Sequence, residues 1–460
     1  MDKQVASHES SPHVIMFPFP VPSHIHSMLN LAQIFCEAHF SVTFVMTVHA
    51  RNAFSGFSDL ESQFSHHAAG SIGFEYIPDG LPEEHPRGVT EVLGSLAATA
   101  TPLVKEMAPP RCVVVADGLL TFAVGMAEEL GLPIFQFYCV SASANWMCLF
   151  LPQLIRPAEL PLKGRDMDMA ITNVKGMEGF LRYRDLPALF QVDDVHINDP
   201  TLQNLHQLAH NIAKAKHHIF NTFQELEGPI LHQMPTIMSN VYAVGPLHEL
   251  LAANGGSSNV IISDDDNSKS CLDWLDNQPA KSVLYVSFGT LSMVSRETLV
   301  EFWHGLVNSG QRFLWSLNPR YGEVPAEILT GSREKTCVVE WAPQRAVLGH
   351  FAVAGFLTHC GWNSILESIV AGVPMIGWPI HGEQQLNSRY VGEVWKVGLD
   401  MKDTCHRVII EKMVRELMEE RKDEFLERAQ HYSKLAKQSV RKGGSSYSNL
   451  EHLLEDIRRI

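Results

Sequence analysis

The segment Trp341 to Gln384, WAPQRAVLGHFAVAGFLTHCGWNSILESIVAGVPMIGWPIHGEQ, gathers the side chains best suited to hold a phosphorylated ligand. The apolar run VAGFLTHC reads as a buried strand, and GWNS followed by ILESIVAG reads as a sharp turn into a helix. Junctions of this kind are where α/β sheets bind ligands. Gly361 permits the tight turn, Asn363 and Ser364 are placed to cap the helix, and the free N–H groups with the positive dipole end face outward. A diphosphate suits that site, with His359 at the strand's carboxyl end as a further donor. Glu367, one turn into the helix, would repel phosphate but accept hydroxyl protons, as a neighbouring ribose requires. Ser364-x-x-Glu367 is equally the spacing of a capping box, and local spacing leaves both readings open.

The flanks extend the pattern. Trp341 and Gln344 frame the end of another strand, CVVEWAPQ, where an indole can stack on a planar base and an amide can read its polar edge. PMIGWP is a third strand, with Glu383 and Gln384 following it on the same rim. Chemistry on such a ligand would also need a base. His24 and His26, in PVPSHIHSML at the turn out of the first strand, compete for that role. Asp117, ending the strand CVVVAD, is placed either to hold such an imidazole or to cap the next turn.

The segment resembles the signature box of plant family 1 UDP-glycosyltransferases, enzymes of GT-B fold. The resemblance extends from about His13 onward. It implies that Trp341 stacks the uracil beside Ala342, that Gln344 meets the base edge-on, and that Glu367 holds the ribose. It assigns His359, Gly361, Asn363 and Ser364 to the diphosphate, and Trp362, Glu383 and Gln384 to the hexose. Glu383 stands where the family usually has Asp. Gln384 with Trp362 points to glucose as the donor sugar.

In the first half, the family's Gly-His, apolar, small polar, Pro-Met pattern aligns the base with His24, oriented by Asp117; Ser23, His26 and Ser27 depart from it. The implied reaction is a direct, inverting displacement in which His24 takes the acceptor's proton and UDP leaves. Ser287, Thr290 and Ser292 would steady the leaving group, and neither a metal nor a cofactor is expected. Cys139 stands where a sugar-contacting Thr is common. Phe19, Val21, His26, Met28, Cys139, Trp146, Phe150, Phe190 and His381 are candidate walls of an acceptor pocket. Within the family, SVLYVSFGT, GLDMKDTC and GGSSYSNL resemble the 7-deoxyloganetic acid glucosyltransferase-type branch, implying a terpenoid or phenolic acceptor.

The elements that must position these residues alternate. HVIMFPFP, SVTFVMT, IGFEYIP, CVVVAD, IFQFYC and HHIFNTF read as strands, with helical patterns between most of them, and VYAVGPL closes this half. The alternation restarts with SVLYVSFGT, RFLWSLN, CVVEW, GFLTHC and PMIGWP. Two doubly wound, Rossmann-like parallel-sheet domains are expected. The first spans residues 1–247, a linker rich in Gly, Ser, Asn and Asp covers 248–268, and the second spans 269–440. Residues 441–460 form a helix that, in the GT-B resemblance, packs back on the first domain. The charged stretch IIEKMVRELMEERKDEFLERA reads as one solvated amphipathic helix.

With 460 residues and a net charge of −15, the chain is an acidic protein with ample core. That balance argues against a nucleic-acid or anionic-membrane partner. The polar MDKQVASHESSPH lacks an apolar signal core, so a cytoplasmic monomer without a membrane anchor is expected. Eight scattered cysteines suggest free thiols, and Asp264, Asp265 and Asp266 read as a solvated acidic run. Two rivals stand beside the transferase reading. A dinucleotide-dependent oxidoreductase lacks its GxGxxG after HVIMFPFP and after SVLYVSFG. A non-catalytic UDP-sugar sensor would have no use for a His24–Asp117 pair.

Overall fold

The computed structural model describes residues 12–53, 72–154, 166–187, 200–255, 266–289, 293–318, 328, 334–402 and 405–460. Short, continuously apolar runs make the strands, because a parallel sheet covered on both faces offers few wet positions. The first sheet has seven: β1 (His13–Phe17), β2 (Val42–Thr47), β3 (Ile72–Ile77), β4 (Cys112–Asp117), β5 (Ile134–Tyr138), β6 (His217–Phe220) and β7 (Asn240–Ala243). The second has six: β8 (Val283–Ser287), β9 (Arg312–Ser316), β10 (Thr336–Val339), β11 (Val353–Thr358), β12 (Met375–Gly377) and β13 (Gly398–Asp400). All pairings between them are parallel.

The spatial orders are β3-β2-β1-β4-β5-β6-β7 and β10-β9-β8-β11-β12-β13. Each sheet therefore reverses direction once, between β1 and β4 in the first and between β8 and β11 in the second. At such a point the two adjacent crossovers leave toward opposite sides and open a crevice at the strands' carboxyl ends. His24 and Asp117 flank the first crevice. Ser287, His359 and Gly361 flank the second.

Three expectations change. Residues 248–253, assigned to the linker, continue a helix Leu247–Ala253 whose Leu247, Leu250 and Leu251 are buried in the first sheet's core. Its apolar spacing outweighs the neighbouring polar run. The charged stretch is not one helix: Arg407–Arg415 runs into a π-turn at Glu416–Glu420, and Lys422–Ser439 follows. Its inner face, including Ile410, Val414, Leu417 and Phe425, is buried in the second domain's core. Finally, β13 is an additional strand with no apolar run to announce it. Gly398 is required there because a Cβ would collide with the Met375 backbone.

The helix Ser445–Arg458 lies on the first sheet, with Leu450, Leu453 and Ile457 in the same core as Val14 and Val113. Tyr242 on β7 donates its hydroxyl to Asp456 at 2.7 Å, and Asn449 donates to the Ala243 carbonyl at 3.1 Å. The two sheets also meet directly. The Trp362 indole N–H donates to the Asn221 carbonyl at 2.8 Å, and that of Trp395 to the Leu226 carbonyl at 3.1 Å. Ser141 donates to Asn387 at 2.9 Å, and a buried Lys402–Asp185 ion pair crosses the same boundary. Among the described residues no helix is long and apolar enough to cross a membrane.

Candidate active site

His24 lies in the first turn of the helix Pro22–Glu37, which begins directly after β1. Asp117 is the last residue of β4, the strand beside β1. This adjacency, created by the switch in strand order, brings together residues 93 positions apart: His24 Nδ1 donates to Asp117 Oδ2 at 2.6 Å. The carboxylate is 1% exposed and the imidazole 13%. Asp117 Oδ1 accepts the Leu119 N–H at 2.9 Å, so the aspartate both caps its own turn and holds the histidine. With Nδ1 committed, Nε2 is the nitrogen left to take a proton. Burial opposes charge on His24, but the Asp117 carboxylate and its hydrogen bond, helped by Glu383 from the other domain, raise its pKa above the ordinary value.

His26 is a different case. Its Nδ1 donates to the Pro22 carbonyl at 2.9 Å, and burial beside Arg345 pushes its pKa down to about 4 despite that bond. Of the two, only His24 has a carboxylate partner and a raised pKa.

In the second domain, Gly361 is the N-cap of the helix Trp362–Ala371, and no side chain caps it. The capping-box reading therefore fails: Ser364 sits at the third helical position. Glu367 instead accepts from Gln344 Nε2 at 2.7 Å, and the same amide nitrogen donates to Ser364 at 2.9 Å. Burial raises the Glu367 carboxyl above its usual range, opposed by the Gln344 bond and the Arg345 charge. Gln344 thus sits with Glu367, and Trp341 is half-buried just past β10, next to buried Ala342.

His359 follows β11 and is wedged between two glycines. A Cβ on Gly289 would approach its ring to 2.7 Å, and a Cβ on Gly361 would meet its Nε2 as well. Gly289 also has φ of +77°, which glycine adopts without steric cost. Cys360 takes φ of +63°, a strained conformation for a residue with a Cβ. Backbone from both β8 and β11 can therefore approach an anion closely here. Burial, with His381 nearby, pushes His359 down to about 4, and its buried Nδ1 has no hydrogen-bond partner among the described residues.

Other expected site residues have protein partners of their own. The Trp362 indole is packed against Trp395 with ring centroids 6.2 Å apart and bonded to Asn221, so its side chain closes the domain boundary; its backbone N–H opens the helix. Gln384 uses its amide within its own loop, accepting from the Ile380 and His381 N–H groups at 3.0 Å and contacting His381 Nδ1 at 2.9 Å. Asn363 is claimed by the first domain: its Oδ1 accepts from Ser27 at 2.8 Å and its Nδ2 donates to the Ser23 carbonyl at 2.9 Å. Ser287 ends β8, and Thr290 and Ser292 lie outside the described residues. Glu383 is half-buried before the helix Gln384–Arg389, its carboxyl raised by burial.

Of the acceptor-pocket candidates, Met28 and Trp146 are fully buried in the core, and the Trp146 indole is bonded to the Lys175 carbonyl at 2.7 Å. Neither offers a free wall. Phe19 packs edge-on against His24 at 5.7 Å, Val21 precedes the first helix, and Phe150 is half-buried against Trp146. His381 is exposed, and Phe190 lies outside the described residues. The Cys139 thiol faces Asp117 at 3.7 Å. Sequence reasoning had no signal for Asn221, Asn387 or Gly289. Arg345 and Ser27 were visible only as neighbours of better-known positions.

The profile of the UDP-glucoronosyl and UDP-glucosyl transferase family matches residues 202–437. A 7-deoxyloganetic acid glucosyltransferase of Catharanthus roseus is 46% identical over 477 residues, covering 98% of both chains. Among solved structures, Medicago truncatula UGT71G1 complexed with UDP-glucose aligns with TM-score 0.81 at 27% identity, covering 97% of this chain and 98% of that one. Phytolacca americana UGT2, complexed with UDP-2-fluoro-glucose and pterostilbene, aligns with TM-score 0.79 at 28% identity, covering 97% and 99%. The fold and site thus define a GT-B glycosyltransferase, and the chain belongs to the UDP-glucoronosyl and UDP-glucosyl transferase family.

Proposed function

We propose that the protein transfers glucose from UDP-glucose, with inversion, to a hydroxyl of a small lipophilic plant metabolite, terpenoid (iridoid or apocarotenoid-like) or phenolic. The observation that carries the catalytic part is the His24–Asp117 pair beside the helix that begins at Trp362. Asn363, on that helix, is bonded to Ser23, the residue before the base. The base and the anion-binding end thus share one contact across the cleft.

In this reading the acceptor oxygen attacks the anomeric carbon while His24 Nε2 takes its proton, and the bond to the UDP oxygen breaks on the opposite face. Asp117 stabilises the imidazolium that forms. General-base help of this kind contributes about 10²–10⁴-fold, and the remainder comes from alignment and from stabilising the departing diphosphate. The N–H groups of the first turn after Gly361, with His359, would receive that charge. Glu367 and Gln344 form one polar pair suited to the ribose hydroxyls, with Trp341 stacking the uracil and Glu383 and Gln384 nearest the hexose. Neither metal nor cofactor takes part. The nature of the acceptor rests on the Catharanthus roseus relative, whose name specifies an iridoid-type acid. The acidic charge of −15 supports an enzyme that meets small molecules and not nucleic acid; that it acts as a cytoplasmic monomer is part of the same proposal.

Mass-spectrometric detection of product from several UDP-sugars and a panel of terpenoid and phenolic acceptors tests this, together with thermal protection by each ligand. UDP-glucose is expected to protect more than NADPH and to yield a singly glucosylated product. Protection by the nicotinamide cofactor alone, or donor binding with no product on any acceptor, would overturn the proposal.

A further inference from the structure

Two departures from the family's usual pattern meet in space. Ser27 stands in place of the proline that follows the base, and Cys139 in place of the threonine after β5. Ser27 is buried in the helix that carries His24 and donates to Asn363 Oδ1 at 2.8 Å. Cys139 is buried, with Sγ 3.7 Å from Asp117 Oδ2 and 3.9 Å from the His24 carbonyl. Asp117 Oδ2 is the same oxygen that accepts from His24 Nδ1 at 2.6 Å.

We propose that Cys139 is a positioning residue for the transfer reaction: its thiol shares Asp117 Oδ2 with His24, while Ser27, on the same helix as the base, bonds Asn363 at the donor-binding helix. This rests on the reading of His24 as the base. The ligand atoms of His24, Asp117 and Cys139 all lie within 4.8 Å of one another. The 2.6 Å separation of the first two is that of a hydrogen bond, so the group is organised around a shared proton acceptor. Burial and the Asp117 charge raise the thiol well above its ordinary pKa, which keeps it a donor.

A carboxylate oxygen with two donors divides its charge between them. A thiol is a weak donor, so it leaves most of that charge to the imidazole. A hydroxyl at the same position would draw more away, and an apolar side chain would draw none. The strength of this donor therefore sets how basic His24 is, while the Ser27–Asn363 bond keeps the pair in register with the donor.

The test is the pH dependence of kcat on an aliphatic alcohol at saturating UDP-glucose, with donor KM measured alongside. Cys139→Ser is expected to lower the midpoint of the acid limb by about 0.5 pH unit, and Cys139→Ala to raise it by about as much. Ser27→Ala should raise donor KM and leave the limb in place. If Cys139→Ser does not fold, Cys139→Thr supplies the hydroxyl. An unmoved limb in both Cys139 variants overturns the inference, whether activity is unchanged, as for simple packing, or donor KM rises, as for a sugar contact. His24→Ala run in parallel separates the two levels. Loss of turnover there with unmoved limbs refutes only the role of Cys139, whereas retained turnover refutes the base itself.

Discussion

Asp117 decides which nitrogen of His24 is available for chemistry, because its 2.6 Å bond fixes the proton on Nδ1. His24→Ala should keep wild-type UDP-glucose affinity by calorimetry and lose about 10²–10⁴-fold in turnover on an aliphatic alcohol. Asp117→Asn should fall between, since the imidazole remains but loses its anionic partner. The sign of the pH effect follows from the raised pKa. The base must be deprotonated to work, so turnover should fall as pH drops through a midpoint above 6.5, the ordinary histidine value. A flat profile from pH 6 to 8 would contradict this assignment. Asp117 was legible in the sequence because it ends an apolar run at a strand terminus, whereas His24 was separated from His26 only by the family's pattern. The Cys139 contact was not legible: residues 22 positions apart on neighbouring strands share an oxygen only once β4 and β5 are in register.

At the scale of the elements, the donor crevice is shaped by what is missing at Gly289 and Gly361. Filling the first with a methyl group brings it to 2.7 Å from the His359 ring and imposes φ of +77° on alanine, a backbone cost of about 1–2 kcal/mol. Gly289→Ala should therefore weaken UDP-glucose at least tenfold by calorimetry with little change in the pH profile of residual turnover. Glu367→Ala should also chiefly weaken the donor, and because Glu367 caps nothing, its melting temperature should stay near that of the parent. Eleven of the strands could be read from apolar runs between turn residues, a consequence of sheets buried on both faces, and β7 falls at the VYAVGPL that closes the first half. β13 could not, being three residues long and held by neighbours. The capping box was undecidable locally, and Gly361 taking the cap settles it.

Across the whole molecule, the boundary between the sheets depends on a few buried polar contacts. Asp185 is 0% exposed and pairs with Lys402, itself 5% exposed, while Arg182 lies 3.1 Å from the same carboxylate. Burial would raise the Asp185 carboxyl, but Arg182 and Lys402 outweigh it and hold it below the usual range. Asp185→Ala leaves a buried ammonium with Asp400 at 3.2 Å as a remaining partner, so the cost should sit near the lower end for a broken buried pair, about 3 kcal/mol. Denaturant unfolding should show it, and an unchanged midpoint would show that the pair contributes nothing net. None of this boundary was legible beforehand. Trp362 read as a sugar contact from its place in the signature, and only the fold brings Asn221, 141 positions away, against its indole.

The helix Ser445–Arg458 has a consequence for the order in which the protein can be built. It supplies Leu450, Leu453 and Ile457 to the core beneath the first sheet, about 200 residues after β7 has been made. On the ribosome, the sheet that positions His24 is synthesised first and the helices Pro22–Glu37 and Leu247–Ala253 cover part of its apolar face, but the part that the C-terminal helix covers stays open until the chain has emerged through Ile457, whereas the strands of the second sheet are complete by Asp400. The half synthesised first is therefore the half finished last. A nascent chain stalled within the second sheet would expose the first sheet's underside, making that face the natural place for a chaperone to hold it.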